Sequence, residues 1–112
     1  MPLTILLRCC DLEETRQFYQ STLGFNVRDT EEGTLTVELH DGALIFTSGD
    51  LWERPVGFSG TMYFTIPDVD GYFAAVKETT AVAWPIQNMS YGSREFAVKD
   101  CNGYYLAFQQ QA

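Results

Sequence analysis

With 112 residues, 46% of them apolar and 14% aromatic, the chain has the size and hydrophobicity of one ordinary folded domain, which excludes global disorder. Fifteen acidic against seven basic residues leave a formal charge of −8, a field that repels phosphate backbones and makes nucleic acid an unfit partner. No apolar run approaches the ~18 residues of a membrane span, and three cysteines without a secretory leader are expected as reduced thiols in the cytoplasm.

The apolar run at residues 3–9 predicts a buried strand. Asp11 follows as a helix N-cap, with Glu14 at capping-box spacing. Leu12, Thr15, Phe18, Tyr19, Thr22 and Leu23 keep helical spacing up to Gly24, where a C-terminal cap belongs. Residues 25–29 predict a short strand and residues 30–33 an acidic turn. Strands at 35–40 and 43–48 are joined at Asp41-Gly42, a hairpin signal. Residues 51–59 have no clear period and read as a linker carrying Trp52.

The pattern then restarts. Residues 61–66 predict a strand, Asp68 caps a second helix, and Val69, Tyr72, Phe73 and Val76 mark its buried stripe. A strand at 82–87 contains Pro85, which places it at a sheet edge. Strands at 94–99 and 104–109 flank Asn102-Gly103. The order strand, helix, strand, strand, strand thus occurs twice. Asp11-Leu12 aligns with Asp68-Val69 at an offset of 57, and the hairpin at Asp41-Gly42 aligns with Asn102-Gly103 at an offset of 61. The reading is an internal duplication: module one at about 1–50, a linker at about 51–59, and module two at about 60–112.

Each module has one helix to cover one face of its sheet, so the other face is left for a second use. Alternation along the strands groups Thr4, Leu6 and Arg8 with the mates Thr61, Tyr63 and Thr65. It offers Leu44, Phe46 and Ser48, and Tyr105, Ala107 and Gln109, from the last strands. These mixed sets are assigned to a cleft; Ile5, Leu7, Met62, Phe64 and Ile66 are assigned to the core.

Two motifs carry a family resemblance. Asp11-Leu12, Phe18-Tyr19 and Leu23-Gly24-Phe25 resemble a "DL…FY…LGF" signature, and Tyr91-Gly92-Ser93-Arg94-Glu95-Phe96 through Asp100, with Asn102-Gly103, resembles "YG-x-REF-x-V-x-D-P-x-G-N". Cys101 stands where that pattern has proline and Tyr104 where it has asparagine. The chain resembles the vicinal oxygen chelate superfamily of glyoxalase I, bleomycin resistance proteins and extradiol dioxygenases, most closely the bleomycin-resistance-like branch. The resemblance implies an α+β fold in which two βαβββ modules form a curved mixed sheet around a cleft, and a homodimer. It also implies four metal-ligand positions, which fall here on Thr4, Phe46, Thr61 and Ala107. Hydroxyls, a phenyl ring and a methyl group do not supply the imidazole, carboxylate or thiolate donors that a divalent ion requires. No metal and no cofactor are therefore expected.

Among other candidates, His40 shares a strand face with Glu38, half of a metal site at most, and otherwise reads as a surface histidine beside a turn. Cys9 and Cys10 read as thiols at a strand end. Glu38 and Glu95 are functional acids or partners of Arg94 or Arg8. Trp84 reads as packing, whereas Tyr91 is within reach of the cleft. The aromatic set fits a planar or cationic organic ligand. The expected function is metal-independent binding and sequestration of a small aromatic or cationic compound, such as a bleomycin-type antibiotic. Phe46, Trp52, Tyr63 and Tyr105 would contact it, and Thr4, Arg8, Thr61 and Gln109 would hydrogen-bond it. The alternative is a metal-dependent lyase or dioxygenase that uses non-standard ligands such as Glu38 or His40.

Overall fold

The computed structural model describes residues 5–30, 33–49, 57–58 and 60–111. The chain divides into two compact units, Met1–Gly57 and Phe58–Ala112. Thr4, Trp52 and most of the expected linker lie outside the described residues.

The first unit runs β1 (Leu6–Arg8), α1 (Leu12–Gln17) with a π-helical turn (Phe18–Thr22), β2 (Asn26–Thr30), β3 (Thr34–Leu39) and β4 (Gly42–Thr47). Asp11 caps α1: its Oδ1 accepts from the amides of Glu13 at 2.9 Å and Glu14 at 3.2 Å. The Leu23 amide reaches back five residues to the Phe18 carbonyl at 3.0 Å, which widens the last turn. Gly24 then takes φ +74, the left-handed conformation that ends the helix. Thr15, Tyr19 and Leu23 are buried at helical spacing. The Tyr19 ring packs edge-on against Phe25 at 5.1 Å and tilted against Phe46 at 5.2 Å.

The second unit repeats the order with β5 (Thr61–Thr65), α2 (Val69–Val76), β6 (Ala81–Asn88), β7 (Ser93–Lys99) and β8 (Tyr105–Gln111). Asp68 Oδ1 caps α2 through the Gly71 amide at 3.1 Å. Gln110 Oε1 accepts from the Val69 amide at 2.8 Å, which ties the helix start to β8. Tyr72 meets Phe108 at 4.8 Å and Phe73 meets Phe96 at 4.8 Å between ring centroids.

Each sheet has four strands, ordered β1-β4-β3-β2 and β5-β8-β7-β6. In each, the first and last strands of the module pair in parallel and the other neighbours are antiparallel. These are the two βαβββ modules and mixed sheets that the duplicated pattern predicts. β6 is an edge strand, with breaks in its register on both sides of Trp84.

Two expectations need correction. The first hairpin turns at His40-Asp41, with His40 at φ 52, while Gly42 already pairs with Leu39. More consequentially, β4 presents its faces the other way round. Phe46 lies in register with Leu7, is 0% exposed and packs on Tyr19, so it belongs to the helix-covered core with Leu44. Helix-facing Leu7 and Phe64 have Phe46 and Phe108 as their register partners, so Phe46 corresponds to Phe108 and not to Ala107. The open face of β4 carries Ala43, Ile45 and Thr47. Replacing Phe46 with Ala should therefore cost about 3–5 kcal/mol of stability as a core cavity. Urea denaturation measures this, and an unchanged midpoint would return Phe46 to an exposed face.

Candidate functional site

On the open face of the first sheet, Ile45 neighbours Leu6, and Thr47 neighbours the half-buried Arg8. The threonine hydroxyls here engage one another. Thr30 and Thr34 hydroxyls meet at 2.5 Å, and the Thr36 hydroxyl donates to Thr30 at 3.2 Å. Glu38 pairs with Arg28 at 3.2 Å. His40 sits exposed on the turn. Burial pushes the Cys9 thiol up, away from the reactive thiolate, while Cys10 is exposed.

The second sheet is different. Because strand neighbours in register share a face, Trp84, Ala97, Ala107 and Tyr63 form one row across β6, β7, β8 and β5. Two buried methyl groups thus separate an indole from a phenol, with backbones three strand spacings or about 14 Å apart. The neighbouring row on one side holds Lys99, Tyr105 and Thr61; on the other it holds Gln87, Glu95, Gln109 and Thr65. The structure thus brings the expected Thr61, Tyr63, Tyr105 and Gln109 onto a single face. Gln109 Nε2 donates to the Thr65 hydroxyl at 3.1 Å.

Glu95 anchors this face. It is 0% exposed, and its carboxylate accepts from Trp84 Nε1 at 3.2 Å, the Tyr91 hydroxyl at 2.6 Å and Ser93 Oγ at 3.2 Å. Hydrogen bonds to a charged group contribute about 1.5–3 kcal/mol each, so the three together hold the carboxylate in place. No salt bridge to Glu95 forms among the described residues; Arg94, its neighbour in sequence, instead pairs with Asp70 at 2.9 Å. The Tyr91 hydroxyl also bonds Tyr63. The Trp84 and Tyr105 rings stack at 6.5 Å, and Lys99 Nζ lies 5.5 Å above the Tyr105 ring. Tyr63 is 50% exposed, Tyr91 62% and Tyr105 36%, so the aromatic surface remains accessible.

The sequence offers Glu95 only as a functional acid or an ion-pair partner of Arg94 or Arg8, reads Trp84 as packing, and does not single out Lys99. Glu95 and Lys99 had a visible signal, since they alternate with Ala97 along β7. Trp84 had none, because the breaks in β6 obscure its phase.

The family's metal-ligand positions do not fit an ion. Thr61 and Ala107 lie on the open face without a carboxylate or imidazole, Phe46 is in the core, and Ile45, the open-face residue nearest to it, is a hydrocarbon. Among the described residues, no three His, Cys, Asp or Glu side chains cluster to hold a metal.

The sequence matches the Glyoxalase/Bleomycin resistance protein/Dioxygenase superfamily over residues 3–108. The chain belongs to that superfamily. No curated protein matches it. Among solved structures it is similar to a protein of unknown function from Agrobacterium tumefaciens str. C58, at 17% identity and TM-score 0.81, covering 100% of this chain and 95% of that one. TioX from Micromonospora sp. ML1 is 16% identical at TM-score 0.80, with 100% and 99% covered. A glyoxalase/bleomycin resistance protein/dioxygenase from Alicyclobacillus acidocaldarius is 18% identical at TM-score 0.78, with 99% and 91% covered. At these identities the likeness is one of fold, and this superfamily fold hosts many chemistries. Among the described residues, no helix is long and apolar enough to cross a membrane.

The short bond to Glu95 has a measurable consequence. It holds the Tyr91 phenol proton and raises the Tyr91 pKa above the ordinary tyrosine range. The neutral phenol is the form that folding favours, so its contribution is complete below pH ~10 and is lost as pH rises beyond that. Tyr91→Phe should therefore flatten the alkaline decline in stability. Denaturant midpoints between pH 8 and 11 test this, and parallel declines in both proteins would contradict the bond.

Proposed function

We propose that this protein binds a small aromatic or cationic organic compound without a metal and acts by sequestering it, as a member of the bleomycin-resistance-like branch. The observation that carries the reading is the row of Trp84 and Tyr63 across two alanines, flanked by Tyr105 and buried Glu95. Aromatic walls with one placed polar group are the usual make-up of a small-molecule site. The net charge of −8 adds attraction for a cation. The ligand set runs through Tyr63, Trp84 and Tyr105, with Thr61 and Gln109 as hydrogen-bonding partners. The protein acts as a homodimer in the cytoplasm.

Tryptophan fluorescence with bleomycin and a panel of cationic aromatic compounds tests this. Saturable quenching is expected. Since one ring–cation contact contributes about 0.5–2 kcal/mol, Tyr63→Ala and Tyr105→Ala should each weaken binding roughly 2- to 30-fold, with the fold preserved. The same samples, incubated with Zn, Ni, Mn or Fe(II) and desalted, should retain far less than one ion per chain and sediment at twice the 12.7 kDa chain mass. Retention of about one ion per chain would contradict the metal-free reading. Unchanged affinity in both tyrosine variants would contradict the site.

A further inference from the structure

We infer that the open face of the second module selects an organic cation, with Glu95 as its counter-charge and Lys99 as a resident competitor. The inference rests on the binding site proposed above and names the ligand class it takes. A carboxylate has about four acceptor sites. Three donors reach Glu95, and all three are neutral: an indole, a phenol and a hydroxyl. They satisfy the hydrogen bonding of Glu95 without cancelling a charge. A buried carboxylate without an opposite charge is costly. Nothing among the described residues forms an ion pair with it, although Arg94 stands next to it in sequence and Lys99 on the same strand face.

The donors also deliver the rings that suit such a ligand. Trp84 and Tyr91 bond the carboxylate by their polar edges, which fixes both rings beside it. Tyr63 joins through its bond to Tyr91. An aromatic face attracts a cation through its quadrupole, and does so best for weakly hydrated cations such as quaternary ammonium or guanidinium groups. Lys99 shows that this surface accepts one. Its ammonium already lies 5.5 Å over Tyr105, and Tyr105 stacks with Trp84. The lysine is exposed and its stem is flexible, so an incoming cation displaces it from the ring at little cost. Lys99 therefore lowers the affinity for external cations, both by covering Tyr105 and by like-charge repulsion.

The test uses the full chain and two probes, benzyltrimethylammonium and neutral benzyl alcohol, titrated by calorimetry. The cation should bind at least tenfold more tightly than the alcohol. Glu95→Gln, folded by circular dichroism, should lose about tenfold for the cation and little for the alcohol. Lys99→Met keeps the stem and removes the charge, and should tighten cation binding about threefold. This exposed substitution keeps the inference testable if Glu95→Gln fails to fold. Equal binding of the two probes, or weaker cation binding by Lys99→Met, overturns the cation assignment while leaving a binding site on this face. Absence of binding by either probe, together with no quenching by any compound in the panel, overturns both.

Discussion

The register between the first and last strands of each module decides what each sheet presents away from its helix. A strand alternates its side chains, so a slip of one residue exchanges the two faces completely. In the first module, parallel pairing of Leu7 with Phe46 sends both to the helix, where Tyr19 fills the space between the sheet and the chain returning through Phe25. In the second, pairing of Phe64 with Phe108 does the same against Tyr72. Everything on the open faces follows from these pairings. The first module is left with threonines, an Arg28–Glu38 pair, Leu6, Ile45 and Arg8; the second is left with Trp84, Tyr63 and Tyr105 around Glu95.

The two faces therefore differ in how their polar groups are satisfied. On the open face of the first sheet, threonine hydroxyls bond one another and Glu38 pairs with Arg28. On the second, a fully buried acid draws its partners from aromatic side chains and a serine. Such an arrangement fixes ring orientation as firmly as it fixes the carboxylate, because each aromatic is held at its polar end and packed along its apolar body. The bulged edge strand makes this possible. Breaks in its register around Trp84 let the indole point over β7, where a regular strand with Pro85 would hold it differently.

Much of the fold was legible because its signals are local. Asp11 and Asp68 announce their helices and cap them as read. Thr15, Tyr19 and Leu23 keep the spacing that buries them, and Pro85 correctly marks an edge. The open face of β8 was legible too, since Tyr105, Ala107 and Gln109 do neighbour Thr61, Tyr63 and Thr65. The face of β4 was not. Aligning the two hairpins on Gly42 and Gly103 assumes turns of like geometry. The first is a two-residue turn at His40-Asp41, while Asp100 organises a longer second one through the amides of Asn102 and Tyr104, each at 2.8 Å. That difference shifts the equivalence by one residue and carries Phe46 into the core. The partners of Glu95 were hidden for a related reason. Trp84 and Tyr91 reach it through a bulge and a turn, whose geometry is not periodic.

On the proposal made above, a ligand is recognised on the open face of the second module, around Glu95. The most direct measurement is a two-dimensional NMR titration of the labelled protein with benzyltrimethylammonium, following the indole N–H of Trp84 and the amides of β5, β7 and β8. The Trp84 indole resonance should shift strongly, because the ring lies on the ligand-facing surface and its proton is bonded to the Glu95 carboxylate beneath it. Amides of Tyr63, Glu95, Lys99 and Tyr105 should move with it, while those of β2 and β3 stay still. A saturable shift confined to the first module, with the Trp84 indole unmoved, would contradict it.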